Sequence, residues 1–181
     1  PVFYRGERIG RFGQSFRIFK FRSMVMNADR IGGPSTSQQD PRVTRSGRFI
    51  RRYKLDELPQ LINVFLGQMS FVGPRPEVRQ YVEQYTKDQM AILDVRPGIT
   101  DWASIWNADE GAVLSSYSDP DWAYEHIVRP TKLKLQLEYV HHHKLWIDVK
   151  IIVYTLLRIA KPDFYPKELS DYPRLLSASR V

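Results

Sequence analysis

The sequence predicts an α/β domain of the α+β kind, mostly short helices with a small β-hairpin, folded as a single compact unit. Three observations carry this reading. Aromatic and β-branched residues crowd Val2 to Ile9 and Ser15 to Arg22, on either side of Gly10-Arg11-Phe12-Gly13, the pattern of a hairpin. Apolar residues recur at helical spacing in a short segment, Leu58, Leu61, Ile62 and Phe65, and through a long one from Tyr124 to Ala160. The 181 residues suffice for one domain with a real core and are too few to expect two.

Composition narrows the partners. Lys and Arg number 27 against 20 Asp and Glu, a net charge of +7, which suits an anionic partner: nucleic acid, an acidic membrane surface or a phosphorylated small molecule. There is no cysteine, which excludes disulfides, thiolate zinc sites and cysteine nucleophiles and fits a reducing compartment. No stretch has the form of a signal peptide, and no apolar run reaches the roughly 20 residues that span a bilayer. The chain opens on Pro1 and not on methionine, so a fragment or trimmed product is expected.

In the hairpin, Lys20 and Arg22 share one strand face and Phe19 and Phe21 the other. The two cations fit a solvated face or a phosphate site. Asn27 to Asp40, with Gly32-Gly33-Pro34-Ser35-Thr36-Ser37, reads as a flexible loop. Arg42, Arg45, Arg48 and Arg51 then recur every third residue, which on a helix or tight turn makes one cationic ridge leading into Asp56. Arg51, nearest the acids, is the functional candidate among them.

Leu55-Asp56-Glu57-Leu58-Pro59-Gln60 follows directly on Arg48, Arg51, Arg52 and Lys54. Pro59 is tolerated only in the first turn of the helix marked by Leu58, Leu61, Ile62 and Phe65, so Asp56 and Glu57 belong at its N-terminus, with Gly67 as the stop. Free N–H groups and the positive dipole end favour anions there. An N-cap and a first-turn acid placed for helix stability are the competing reading. Gly73-Pro74-Arg75-Pro76 close by, a rigid turn carrying an arginine, favours chemistry. A carboxylate among cations stays ionised and can serve as a nucleophile or hold a hard metal ion, and arginines beside it fit a phosphate-bearing substrate.

Further along, Glu77 to Leu93 reads as one helix, and Val95 to Thr100 as an extended segment with a Pro-Gly turn in which Arg96 is a candidate phosphate ligand. Asp119-Pro120-Asp121 has the form of an Asp-x-Asp metal motif, against which an ordinary proline turn is the favoured reading. His141, His142 and His143 are successive, point in different directions on a helix and read as surface residues. Leu145 to Lys161 combines a wide apolar face with Trp146, Lys150, Arg158 and Lys161, so it reads as a core helix first and a membrane-interface helix second. Pro162 to Val181 reads as an irregular tail packed on or trailing from the domain.

Taken in order, several of these segments resemble the bacterial sugar transferase family, the monotopic polyprenyl-phosphate phosphoglycosyl transferases. They are Pro1-Val2-Phe3-Tyr4-Arg5, Phe19-Lys20-Phe21-Arg22-Ser23-Met24, Asp40-Pro41-Arg42-Val43-Thr44, Gly47-Arg48-Phe49 and Leu55 to Gln60. Asn63-Val64, Met69 to Pro76 and Arg96-Pro97-Gly98-Ile99-Thr100 complete the set, which covers nearly the whole chain, residues 1–181, as a catalytic domain. The resemblance implies transfer of a phosphosugar from a nucleoside diphosphate sugar, usually a UDP-sugar, to polyprenyl (undecaprenyl) phosphate with release of UMP. It implies Asp56 as a nucleophile that forms a phosphosugar–aspartyl intermediate, and Glu57 as a ligand of Mg2+ that also assists the lipid phosphate. It further implies an N-terminal membrane-entering helix ahead of Pro1, amphipathic membrane-interface helices, and a place on the cytoplasmic face of a bacterial inner membrane in the first step of glycan synthesis. The chain departs from the family pattern at Asp101-Trp102-Ala103-Ser104-Ile105-Trp106-Asn107, where many members carry Gly, an apolar residue, Ala-Gln-Val and Asn-Gly-Arg.

Displacement at phosphorus needs an ionised nucleophile, a cation on the phosphoryl oxygens and donors for the diphosphate. Asp56 supplies the first and Mg2+ at Asp56 and Glu57 the second. Arg51, Arg75 and Arg96, with Lys20 and Arg22, are the candidates for the third. The membrane surface is an expected partner, nucleic acid is not, and a homodimer is left open. Two rivals stand beside this reading: a basic nucleic-acid-binding module, resting on aromatics and arginines interleaved from Phe16 to Arg22, and a metal-dependent glycosyltransferase using Asp119 and Asp121.

Overall fold

The hairpin is long and bent. In the computed structural model, which describes residues 1–33, 35–37, 39–172, 174 and 175, its outer part pairs β1 (Phe3–Tyr4) with β4 (Lys20–Phe21) and its inner part β2 (Glu7–Ile9) with β3 (Ser15–Arg17), all antiparallel. A short helix α1 (Ala28–Ile31) follows, then α2 (Arg45–Arg52), a 3-10 turn at Leu55–Glu57, α3 (Gln60–Phe65) and β5 (Ser70–Val72). After α4 (Arg79–Val82), β6 (Gly98–Thr100) pairs parallel with β5. Helices complete the chain: α5 (Trp102–Trp106), α6 (Glu110–Leu114), α7 (Pro120–Ala123), a π turn at Tyr124–Val128, α8 (Arg129–His142) and α9 (Leu145–Ala160). The mixed, mainly helical single domain expected from the sequence is the one observed.

The core forms where α5, α8 and α9 meet. Ile105, Leu114, Val128, Leu135 and Ile151 are sealed there, and Leu169 and Tyr172 from the tail pack onto them. Burying one such aliphatic side chain contributes about 1.5–3 kcal/mol. A smaller cluster of Phe16, Ile18 and Met69 roots the hairpin on the β5 side. Thus the tail is packed on the domain as far as it is described; Pro173 and residues 176–181 lie outside the described residues.

Several elements differ from their sequence readings. Glu77 to Leu93 is not one helix: α4 ends at Val82, and a 3-10 turn occupies Gln89–Asp94. Thr86 and Gln89 exchange backbone-to-side-chain bonds (2.9 and 3.3 Å), a reciprocal cap that begins a new element instead of continuing the old one. The arginine ridge is broken as well. Arg42 precedes α2, grips Asp40, and donates to the carbonyls of Ala28, Gly33 and Ser35, stitching the 27–40 segment that read as a flexible loop. Pro34 and Gln38 of that loop lie outside the described residues.

The polarity of α3 is the reverse of an ordinary amphipathic helix. Its apolar residues Leu61, Ile62 and Phe65, and Leu58 just ahead of it, are exposed, Phe65 to 91%, while Gln60 and Asn63 are 0% exposed. The helix is amphipathic with its polar side inward, because Asn63 is fully employed there: it accepts from Phe19 N (2.8 Å) and donates to Arg17 O (3.0 Å) and Gln68 Oε1 (2.8 Å). α9 is a core helix on one side only. Ile151 is buried, but Leu145, Trp146, Val149, Val153, Leu156 and Ile159 are exposed. Both helices pack on β5, whose Phe71 is also exposed. No helix among the described residues is long and apolar enough to cross a membrane.

Candidate active site

Local structure brings the two acids into different settings. Thr44 caps α2 by accepting from Gly47 N at 2.9 Å, and the helix ends at Tyr53. Lys54 then takes a left-handed conformation (φ 56°), which turns the chain into the 3-10 turn that carries Asp56 and Glu57. Pro59 directly precedes α3, so the acids lie one turn ahead of the helix and not in its first turn. Neither acid caps the 3-10 turn, α3 has no side-chain cap, and the capping alternative fails.

Glu57 is clasped by two cations. Lys20 Nζ donates to Oε1 at 2.9 Å, Arg75 Nη1 donates to Oε2 at 3.0 Å, and Arg75 Nη2 completes a bidentate pair on Oε1. Burial alone would push the Glu57 carboxyl up, but Arg75 and Lys20 hold it well below the usual carboxylate range. Burial pulls Lys20 below its ordinary value despite Glu57, and Glu57 raises Arg75 further.

Asp56 is the contrast. It is 8% exposed, and its carboxylate accepts no hydrogen bond from any described residue. Burial, and then the Glu57 charge, raise its pKa, with Lys20, Arg51 and Lys54 pulling the other way. Two neighbouring carboxylates are thereby driven apart, one fixed as an anion in an ion triad and one held ready with unspent lone pairs. Catalytic acid pairs show such a split, and structural ion-pair networks perturb carboxyl groups as well.

Arg75 owes its place to the end of the parallel β5–β6 pair. Gly73 N donates to Thr100 O (3.1 Å) and Gly98 N to Pro74 O (3.0 Å), so pairing continues past both strands. A Cβ on Gly98 would run into the backbone of Gly73, so this approach requires glycine. Past Pro76, Glu77 is buried against Lys132 Nζ (2.9 Å) and Tyr124 OH (2.8 Å), which anchors the far side of the turn.

Of the remaining candidates, Arg51 stands within electrostatic reach of Asp56. Arg22 turns away to the carbonyls of Pro1 (3.0 Å) and Phe3 (2.9 Å) and holds the hairpin end. Arg96 is exposed, and its backbone carbonyl lies where a Cβ on Gly73 would fall. Asp119 caps α7 through Asp121 N and Trp122 N, while Asp121 accepts from Ser35 N, so both are occupied as the turn reading expected. Sequence reasoning passed over Gln60, whose buried amide has neither atom bonded, although it stands in the same hexapeptide as the acids. It also passed over Gln136, a polar residue in a helix, for which only the fold supplies a signal.

The donor set fits a hard cation held by one carboxylate and the phosphates of a substrate. Asp56 has the open oxygens for this, and Glu57, with two donors on Oε1 and one on Oε2, keeps a single further lone pair on Oε2. No group of three or more His, Asp or Glu side chains suited to a metal occurs among the described residues, so an all-protein cage does not arise.

Comparison with known proteins places this arrangement. Residues 1–162 match the model of a family described as bacterial sugar transferase. The chain is 37% identical to a UDP-N-acetylgalactosamine-undecaprenyl-phosphate N-acetylgalactosaminephosphotransferase from Aeromonas hydrophila, over 88% of this chain and 35% of the relative. It is 39% identical to a UDP-glucose:undecaprenyl-phosphate glucose-1-phosphate transferase from Escherichia coli K12, over 87% of this chain and 32% of the relative. An uncharacterized sugar transferase, EpsL, from Bacillus subtilis is 35% identical over 88% of this chain and 70% of its own length. The chain thus spans about a third of the first two relatives. Since the family model covers residues 1–162, including the Asp56, Glu57 and Arg75 cluster, the chain belongs to the bacterial sugar transferase family.

Proposed function

We propose that this chain is the catalytic part of a phosphoglycosyl transferase that moves a sugar phosphate from a UDP-sugar to undecaprenyl phosphate. The observation that carries the proposal is the split acid pair: Asp56 unbonded beside a Glu57 locked by Lys20 and Arg75. The names of the relatives supply the substrate class.

In the first step, a carboxylate oxygen of Asp56 attacks the β-phosphorus. The bond from that phosphorus to the bridging oxygen breaks, and UMP leaves with the electron pair. In the second, an oxygen of the lipid phosphate attacks the same phosphorus, and Asp56 departs from it as a free carboxylate. Arg75, with Lys20 behind it, supplies donors to the diphosphate, and Arg51 adds positive potential where charge develops. Mg2+ bound at Asp56 and the substrate phosphates would neutralise charge on the phosphoryl oxygens. The exposed apolar faces of α3 and α9, together with exposed Arg52 and Lys54, support a membrane surface as the place where the lipid acceptor is met.

The test is a panel of UDP-sugars with Mg2+ and undecaprenyl phosphate in nanodiscs. UMP release is expected for one or a few sugars, stopped by chelation, with turnover and a covalent phosphosugar adduct both lost in Asp56→Asn. Release of UDP in place of UMP, or normal turnover by Asp56→Asn, would overturn the proposal.

A further inference from the structure

The Arg75 peptide is held from both sides by side chains that never reach the surface of the site. Asp101 Oδ2 accepts from Arg75 N at 3.3 Å and from Gln136 Nε2 at 3.1 Å, and the same Gln136 nitrogen lies 3.5 Å from Arg75 O. Asp101 is 1% exposed and Gln136 0%. Pro74 and Pro76 have no N–H, so Arg75 N is the sole backbone donor between Gly73 and Glu77, and its partner sets how this rigid segment is turned.

Asp101 divides its two oxygens between separate tasks. Oδ1 caps α5, accepting from Ser104 N and Ser104 Oγ, both at 2.7 Å. A cap needs one oxygen only, and Asn or Ser supplies it as well as Asp does. The second oxygen, facing two further donors, is what a carboxylate alone provides, because Asn would present an N–H to them.

We infer that Asp101 and Gln136 are positioning residues that aim Arg75 at Glu57 and at the incoming diphosphate. The inference rests on the transferase reading above. α5 and α8 thereby act on the site through one peptide unit, with neither residue touching substrate.

The test is a double-mutant cycle on UMP release by the chain in nanodiscs, with thermal melts of each variant. Asp101→Asn is expected to lower kcat/KM at least ten-fold while the melting temperature stays within a few degrees, since α5 keeps its cap. In an Arg75→Ala background the same substitution is expected to cost less than two-fold, because there is no guanidinium left to aim. If Asp101→Asn does not fold, Gln136→Met, which leaves the cap untouched, carries the same cycle with the same expectation. Full activity in Asp101→Asn, or equal losses with and without Arg75, overturns the inference while wild-type turnover leaves the transferase reading standing. A wild type inert toward every UDP-sugar overturns both.

Discussion

Arg75 closes on Glu57 with both arms of its guanidinium, Nη1 donating to Oε2 at 3.0 Å and Nη2 to Oε1, while Asp56, the preceding residue, is bonded to neither cation of the triad. The neighbouring acids therefore answer to different forces. Glu57 takes its low pKa from Arg75 and Lys20 against the push of burial, and Asp56 takes its raised one from burial and from Glu57.

Glu57→Gln removes the anion and leaves Lys20 and Arg75 facing each other across a neutral amide. Breaking a buried ion pair costs about 3–5 kcal/mol, and the partial exposure of these side chains brings the expected loss to about 2–3 kcal/mol at pH 7. Because the folded pKa of Glu57 is depressed, its contribution is fully present above the ordinary glutamate value of about 4.3 and is lost as pH falls through the folded value. Denaturant melts of both proteins across pH should converge in acid. A difference that stays constant with pH would place the effect in packing and not in charge.

Asp56 has to be ionised to attack phosphorus, so its raised pKa puts the acid limb of the kcat/KM profile above the ordinary aspartate value of about 3.9. Arg51 is among the cations that pull this pKa down, so Arg51→Ala is expected to move the limb to higher pH as well as to weaken UDP-sugar binding. Profiles of UMP release for the two proteins decide it. A limb that fails to move would remove Arg51 from the neighbourhood of the nucleophile.

Sequence and structure agree where the signal is local. The hairpin follows from β-branched and aromatic runs around Gly10 to Gly13, and Glu57 and Arg75 share a site as acids and arginines so packaged lead one to expect, whereas Lys20, 37 residues from Glu57, fits a solvated face or a phosphate site equally by sequence. What the sequence leaves open is of two kinds. Helical periodicity shows which residues share a face and not which face is inward, so Leu58, Leu61 and Phe65 gave the period of α3 while its inner side was set by Asn63, bonded to Arg17 and Phe19 some 44–46 residues away. Likewise, Asp101 and Gln136 reach Arg75 across 26 and 61 residues, and no local pattern encodes such a contact.

Gly73 and Gly98 bring the ends of β5 and β6 into contact, which no side chain at either position permits. In Gly98→Ala the new methyl meets Gly73 N and Gly73 O, and in Gly73→Ala it meets the Arg96 carbonyl. These are backbone atoms and cannot rotate aside, so overpacking is expected to cost about 1–3 kcal/mol. Since the Gly73–Pro76 segment must shift to relieve it, activity should fall by more than the folded fraction explains. Specific activity measured on the folded fraction, set beside a thermal melt, separates the two losses. Unchanged melting and unchanged activity would contradict the close approach.

The inverted polarity of α3 supplies a prediction opposite to that for an ordinary amphipathic helix. Were Phe65 a core residue, replacing it with a charge would unfold the protein. With 91% of it exposed, Phe65→Glu is expected to leave stability within about 0.5 kcal/mol, as surface substitutions do. What it should lose is affinity for a bilayer. A phenylalanine side chain withdrawn from an apolar phase forfeits about 1.5–3 kcal/mol, roughly ten- to hundred-fold in partition. Trp146→Glu on α9 should act in the same direction, because both helices pack on β5 and both expose apolar residues, as does Phe71 of that strand. Co-sedimentation with anionic vesicles measures the partition and a denaturant melt the stability. Loss of stability with unchanged partition would return α3 and α9 to the role of core helices and remove the membrane surface from the proposed reaction.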